Sequence, residues 1–106
     1  MAESERTTQL KAIIAQDPAN KLARYALGME YSGRGEVDAA VAAFRELIQN
    51  NPDYANAYFM AAQTLSNADR KDEAKQLLQE GIAAAKRANN RHAENEMTAM
   101  LEELEL

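Results

Sequence analysis

Cysteine and tryptophan are absent from this 106-residue chain, and proline (two residues), phenylalanine (two) and histidine (one) are scarce. Without cysteine there is no disulfide, no thiolate nucleophile and no cysteine-based zinc site, so packing alone must hold the fold, and a reducing compartment is permitted. Only two valines are present and aromatics make up 6% of the chain. That is poor material for strands, which favour β-branched and aromatic side chains. The four glycines form no phosphate-cradling loop, because Gly33 and Gly35 are spaced as a turn between helices, and no Gly-x-Ser-x-Gly elbow occurs. His92 is the only histidine and belongs to no recognisable catalytic constellation, and the chain reads as a non-enzyme without cofactor or metal. Positive charge is in deficit, with 12 Lys and Arg against 17 Asp and Glu, a net charge of −5 and a pI near 4.9. Binding to a nucleic-acid backbone relies on Lys and Arg neutralising phosphates, so no nucleic-acid partner is expected. The segment Met1 to Arg6 has no apolar centre of the kind a signal peptide needs. Apolar runs such as Ile82 to Ala85 are far below bilayer-spanning length. A soluble, cytoplasmic protein with no membrane contact is expected.

What the chain does contain is 46% apolar residues, rich in alanine and leucine, which suits stacked helices. One domain of this length buries about 65% of its extended surface. Leu10, Ile13 and Ile14 share a helical stripe over residues 4–16, with Ser4 as a cap-competent start and Asp17-Pro18 as the stop. Asn20 is expected to cap the next helix, Asp53 the helix from Tyr54 to Asn67, and Asp69 the helix from Arg70 to Ala88. Asn89-Asn90 forms the closing turn. Beyond it Ala93, Met97, Met100, Leu101 and Leu104 recur at helical spacing, with Glu94, Asn95, Glu102 and Glu103 opposite.

A period of 34 residues runs through this pattern. Leu10, Ile13, Ile14 and Pro18 precede Phe44, Leu47, Ile48 and Pro52 by 34, and Gly28, Ala40 and Ile48 precede Ala62, Ala74 and Ile82 by the same interval. Small positions stay small, and Phe44 is matched by the large Leu78. Leu27-Gly28, Tyr31, Ala40, Phe44 and Pro52 stand at the spacings of the tetratricopeptide signature, and the chain resembles that family. The resemblance implies an all-α fold, a right-handed α-solenoid of TPR helix-turn-helix repeats. It divides a single domain 1–106 into a half-repeat helix at 4–16, repeats at 21–54 and 55–88, and a capping helix at 91–105. Gly28 and Ala40 then mark the close approach of paired helices, where a large side chain should cost about 1–3 kcal/mol. The second repeat departs from the pattern at its end, where Lys86 stands in the place of Pro52 and the helix can run on.

In this family the first helix of each repeat lines a concave surface that receives peptides. Helical periodicity places Leu22, Tyr25, Met29 and Ser32 on one stripe, and Asn56, Phe59, Gln63 and Ser66 on its equivalent. The resemblance therefore implies a protein or peptide partner and an adaptor or scaffold role, with these eight residues as candidate contacts. The family's peptide-carboxylate clamps need Lys and Asn where this chain has Tyr25, Met29 and Met60, which argues against an acidic C-terminal tail as ligand. Two other occupants compete for the stripe. The chain's own last helix could cover it as ordinary core, or a second copy could bury it in a homodimer. His92 and Glu96, one turn apart, read as a surface pair, and Arg70, Lys71, Lys75, Lys86, Arg87 and Arg91 as a solvated basic edge.

Overall fold

The computed structural model describes residues 3–106, and every regular element among them is an α-helix. In chain order these are α1 (Glu5–Gln16), α2 (Lys21–Gly33), α3 (Val37–Asn50), α4 (Ala55–Asn67), α5 (Lys71–Arg87) and α6 (Arg91–Leu104). Each helix packs against its neighbours in sequence. The all-α helical-repeat solenoid expected from the 34-residue period is what the chain forms.

Local chemistry sets the helix boundaries. Ser4, Asn20 and Asn90 each accept a hydrogen bond from a backbone N–H three residues on, at Thr7 (3.1 Å), Ala23 (2.9 Å) and Ala93 (3.1 Å). These satisfy donors that a helix start leaves without partners. The two aspartate caps do not form. Asp69 adopts φ +62° and acts one step earlier, as the left-handed residue that terminates α4. The Arg70 N–H then donates back to the Leu65 carbonyl at 2.9 Å. Gly35 (φ +74°) and Asn89 (φ +55°) end α2 and α5 in the same way, with Glu36 N–H to Tyr31 carbonyl at 3.0 Å and Asn90 N–H to Ala85 carbonyl at 2.8 Å. Asp and Asn tolerate this conformation better than other side chains, which is why they serve where a glycine could. Asp53 fails as a cap because α4 begins at Ala55 with Tyr54 in the cap position. Its carboxylate accepts from Arg87 at 3.5 Å instead.

The core runs along the seam between the two layers of the stack. Phe44, Leu47, Leu65, Leu77, Leu78 and Met97 are almost completely buried, each contributing roughly 1.5–3 kcal/mol of apolar transfer. A Cβ built on Gly28 would stand 2.5–2.7 Å from three atoms of the Phe44 ring, so the glycine is where α2 and α3 touch. Gly81 does the same for three helices at once, since a Cβ there would meet Met97 Sδ of α6 at 2.5 Å and Tyr58 Cβ of α4 at 2.7 Å.

The two layers are spaced differently. The backbones of α2, α4 and α6 approach one another in turn, while those of α1, α3 and α5 do not. The stack therefore curves with α2, α4 and α6 on its inner side. On the outer side α3 and α5 are linked by long side chains, with Arg45 donating to both Glu80 oxygens at 2.6 and 3.0 Å. Arg70, the residue before α5, similarly joins Asp38 of α3 to Glu73 of α5, both at 2.6 Å. The basic edge expected around Arg70 and Arg87 is thus partly occupied by ion pairs within the chain.

Candidate functional site

The inner surface brings together some of the predicted residues and separates others. Phe59, Gln63 and Ser66 stand on one side of α4 and, with Asn67, form one wall of a groove of about 380 Å³. The opposite wall comes from α6, through Glu96, Ala99, Met100 and Glu103. Phe59 and Met100 are half-buried and supply the apolar floor, while Gln63, Glu96 and Glu103 are exposed at the rim. Asn56 lies on the same stripe as Phe59 and Gln63, one turn towards the start of α4, and is exposed.

The α2 members of the stripe have divided roles. Tyr25 is half-buried, its ring 5.9 Å from Phe44 in an edge-on arrangement and 5.9 Å from the tilted ring of Tyr54. Such pairs add about 0.5–1.5 kcal/mol beyond area burial, so Tyr25 belongs to the core as much as to the surface. Burial, and then the neighbouring Tyr54, raise its phenol pKa above the ordinary value, which keeps the ring neutral. Ser32 shares a 2.8 Å hydrogen bond with Thr64, whose hydroxyl also bonds to the Met60 carbonyl at 2.8 Å. This pair ties α2 to α4 at the inner surface. Met29 is 37% exposed. Leu22, at 75% exposure, faces elsewhere, in a hollow of about 190 Å³ between α1 and α2 that it shares with Leu10, Ile13, Ala23 and Ala26.

The α6 wall escaped the sequence reading because the repeat interval changes there. The cap positions Asn20 and Tyr54 are 34 residues apart, but Tyr54 and Asn90 are 36 apart, and α5 has 17 residues where α3 has 14. Adding 34 to Phe59 and Gln63 therefore names Ala93 and Met97, which are buried in the core, and only Ser66 maps onto the wall, at Met100. The last helix also does less covering than one of the two competing occupants required. It buries Ala93 and Met97 against the core and flanks the Phe59 stripe instead of lying over it.

His92 and Glu96 come within 3.8 Å of each other, with the His92 side chain 87% exposed. Among the described residues, no group of three or more His, Cys, Asp or Glu is placed to hold a metal ion. Among those residues, too, no helix is long and apolar enough to cross a membrane.

A curved stack of helical hairpins with an apolar-floored inner groove is a helical-repeat scaffold for protein–protein interaction. Residues 31–94 match the model of the tetratricopeptide repeat, and the chain belongs to that family. It is 26% identical over 96 residues to a TPR repeat-containing protein of Pseudomonas aeruginosa, covering 91% of each chain. A Bordetella parapertussis protein of known solution structure superposes with a TM-score of 0.77 at 28% identity, over 97% of this chain and 89% of that one. The type III secretion translocator chaperone of Yersinia enterocolitica shares the fold at TM-score 0.79 and 17% identity, over 93% and 69% of the two chains.

Proposed function

We propose that the chain is a non-catalytic adaptor that holds a protein or peptide segment in the groove between α4 and α6, continuing along the inner face towards Met29. The observation that supports this most strongly is the pairing of an apolar floor, Phe59 and Met100, with rim amides from Gln63 and Asn67. Aromatic anchors in a partly enclosed groove supply most of the energy in such contacts. Asn56 and Gln63 are placed to bond a ligand backbone and fix its register. The Yersinia structure of the same fold belongs to a chaperone, which accords with a binding role. Because Tyr25 also packs on Phe44 and Tyr54, its removal would confuse binding with stability, and Phe59 is the cleaner probe. Phe59→Ala should weaken a groove ligand by about thirtyfold, the size of an interface hot spot, while leaving the circular-dichroism spectrum unchanged. Undiminished affinity in a calorimetric titration would reject the groove.

A second reading is favoured by the α1–α2 hollow, where Leu22 and Ile13 are exposed at 75% and 45%. Apolar residues gathered at one end of a repeat stack suit contact with a second copy. On this reading sedimentation shows a dimer that Leu22→Glu converts to monomer. A monomer at all concentrations would remove it.

A further inference from the structure

We propose that the segment bound in the α4–α6 groove is cationic as well as apolar, an aliphatic or aromatic anchor with a lysine or arginine about one helical turn away. This rests on the groove being the binding site, and it follows from how charge is distributed across the two walls. From Ala55 to Asn67, α4 contains no charged residue, so its wall offers only Phe59 and neutral polar groups. The facing wall carries Glu96 and Glu103, seven residues apart and therefore about 10 Å apart along the helix axis, on either side of Ala99 and Met100. No lysine or arginine lines the groove. Among the described residues Glu96 meets only the His92 imidazole, at 3.8 Å, and Glu103 forms no ion pair.

The contrast with the outer face is informative. There, carboxylates of Asp38, Glu73 and Glu80 are matched by Arg45 and Arg70 of the same chain. On the inner face two carboxylates of one sign flank an apolar floor with no such counterion. An acidic or phosphorylated ligand would be repelled there, and a neutral one would leave both carboxylates facing an uncompensated interface. A basic residue beside the anchor removes the repulsion and adds charge-assisted hydrogen bonds.

The test uses random dodecapeptides displayed on phage and selected against the intact chain, followed by fluorescence-anisotropy titration of the enriched peptides. Enrichment of Lys or Arg one turn from an apolar anchor is expected. Binding of these peptides should fall roughly five- to tenfold with E96Q/E103Q, as two exposed ion pairs predict, should weaken as salt rises, and should be lost with F59A. Both glutamates lie at the exposed rim, and thermal melts of E96Q/E103Q should match the parent. Peptides lost on F59A but indifferent to E96Q/E103Q, or enriched in Asp and Glu, would overturn the cationic assignment while sparing the groove. Peptides insensitive to F59A, or no enrichment at all, would overturn both.

Discussion

Replacing Gly28 by leucine should destabilise the chain by about 3 kcal/mol, the upper end of overpacking costs. A mere Cβ at this position lands 2.5–2.7 Å from the ring of Phe44, and that ring cannot retreat. It is completely buried and held edge-on by Tyr25. The helices α2 and α3 must then separate, which uncovers Phe44 and Leu47. Gly33 provides the control. It ends α2 with nothing within 4 Å of a Cβ, so Gly33→Ala should stabilise by about 0.5–1 kcal/mol through reduced unfolded-state freedom. Urea titrations that gave both substitutions the same sign would place the α2–α3 contact elsewhere. A double-mutant cycle locates the contact further. Phe44→Ala alone should cost about 3–5 kcal/mol, but Gly28→Ala should cost much less in that background, because the ring it collides with is gone.

Gly81→Leu should have an effect of similar size, about 3 kcal/mol, with a different consequence for the groove. One neighbour, Met97, is flexible enough to turn aside. The other is the Cβ of Tyr58, fixed to its backbone, with its hydroxyl donating to the Pro52 carbonyl at 2.6 Å. A larger residue therefore forces α6 away from α5 and α4 away from both, and the two walls of the groove move apart. Even Gly81→Ala should be destabilising by about 1 kcal/mol or more, although alanine is the better helix former by about 1 kcal/mol. The measurement is a thermal melt of each variant together with the affinity of a groove peptide. A Gly81→Ala variant more stable than the parent would mean that α4 and α5 are not packed as described.

These two glycines show how far the fold was legible in the sequence. Gly28 was found because it recurs as Ala62 at the repeat interval and stands opposite Ala40 and Phe44 in the family's spacing. Gly81 gave no such signal, since at the same interval it corresponds to Leu47, a large residue. Its task comes from the neighbours that meet it, Tyr58 of α4 and Met97 of α6, which no repeat interval names. Ser4 and Asn20 announced their helices because an amide or hydroxyl directly before a periodic stretch has one common use, whereas Asn90, expected only as part of a turn, proves to cap α6 as well. Asp53 and Asp69 misled for a related reason. The same side chains also serve turns and ion pairs, and which use prevails depends on where the preceding helix ends.

For the candidate site, the family resemblance named the first helices, and periodicity then placed Phe59, Gln63 and Ser66 on one stripe of α4, because they keep the helical interval. The wall opposite could not, because it depends on the changed repeat length. Leu22 and Ser32 fit the same periodicity as Met29, yet one faces the α1–α2 hollow and the other bonds to Thr64. Periodicity places a residue on a face of its helix. Which neighbour that face meets is settled by the packing of the whole stack.

Amide chemical-shift mapping with a selected peptide tests most directly whether the inner groove around Phe59 takes the partner. The shifts should concentrate on Phe59, Gln63, Ser66, Ala99 and Met100. Shifts confined to Leu10, Ile13, Leu22 and Ala26, or to the outer helices α3 and α5, would contradict binding in that groove.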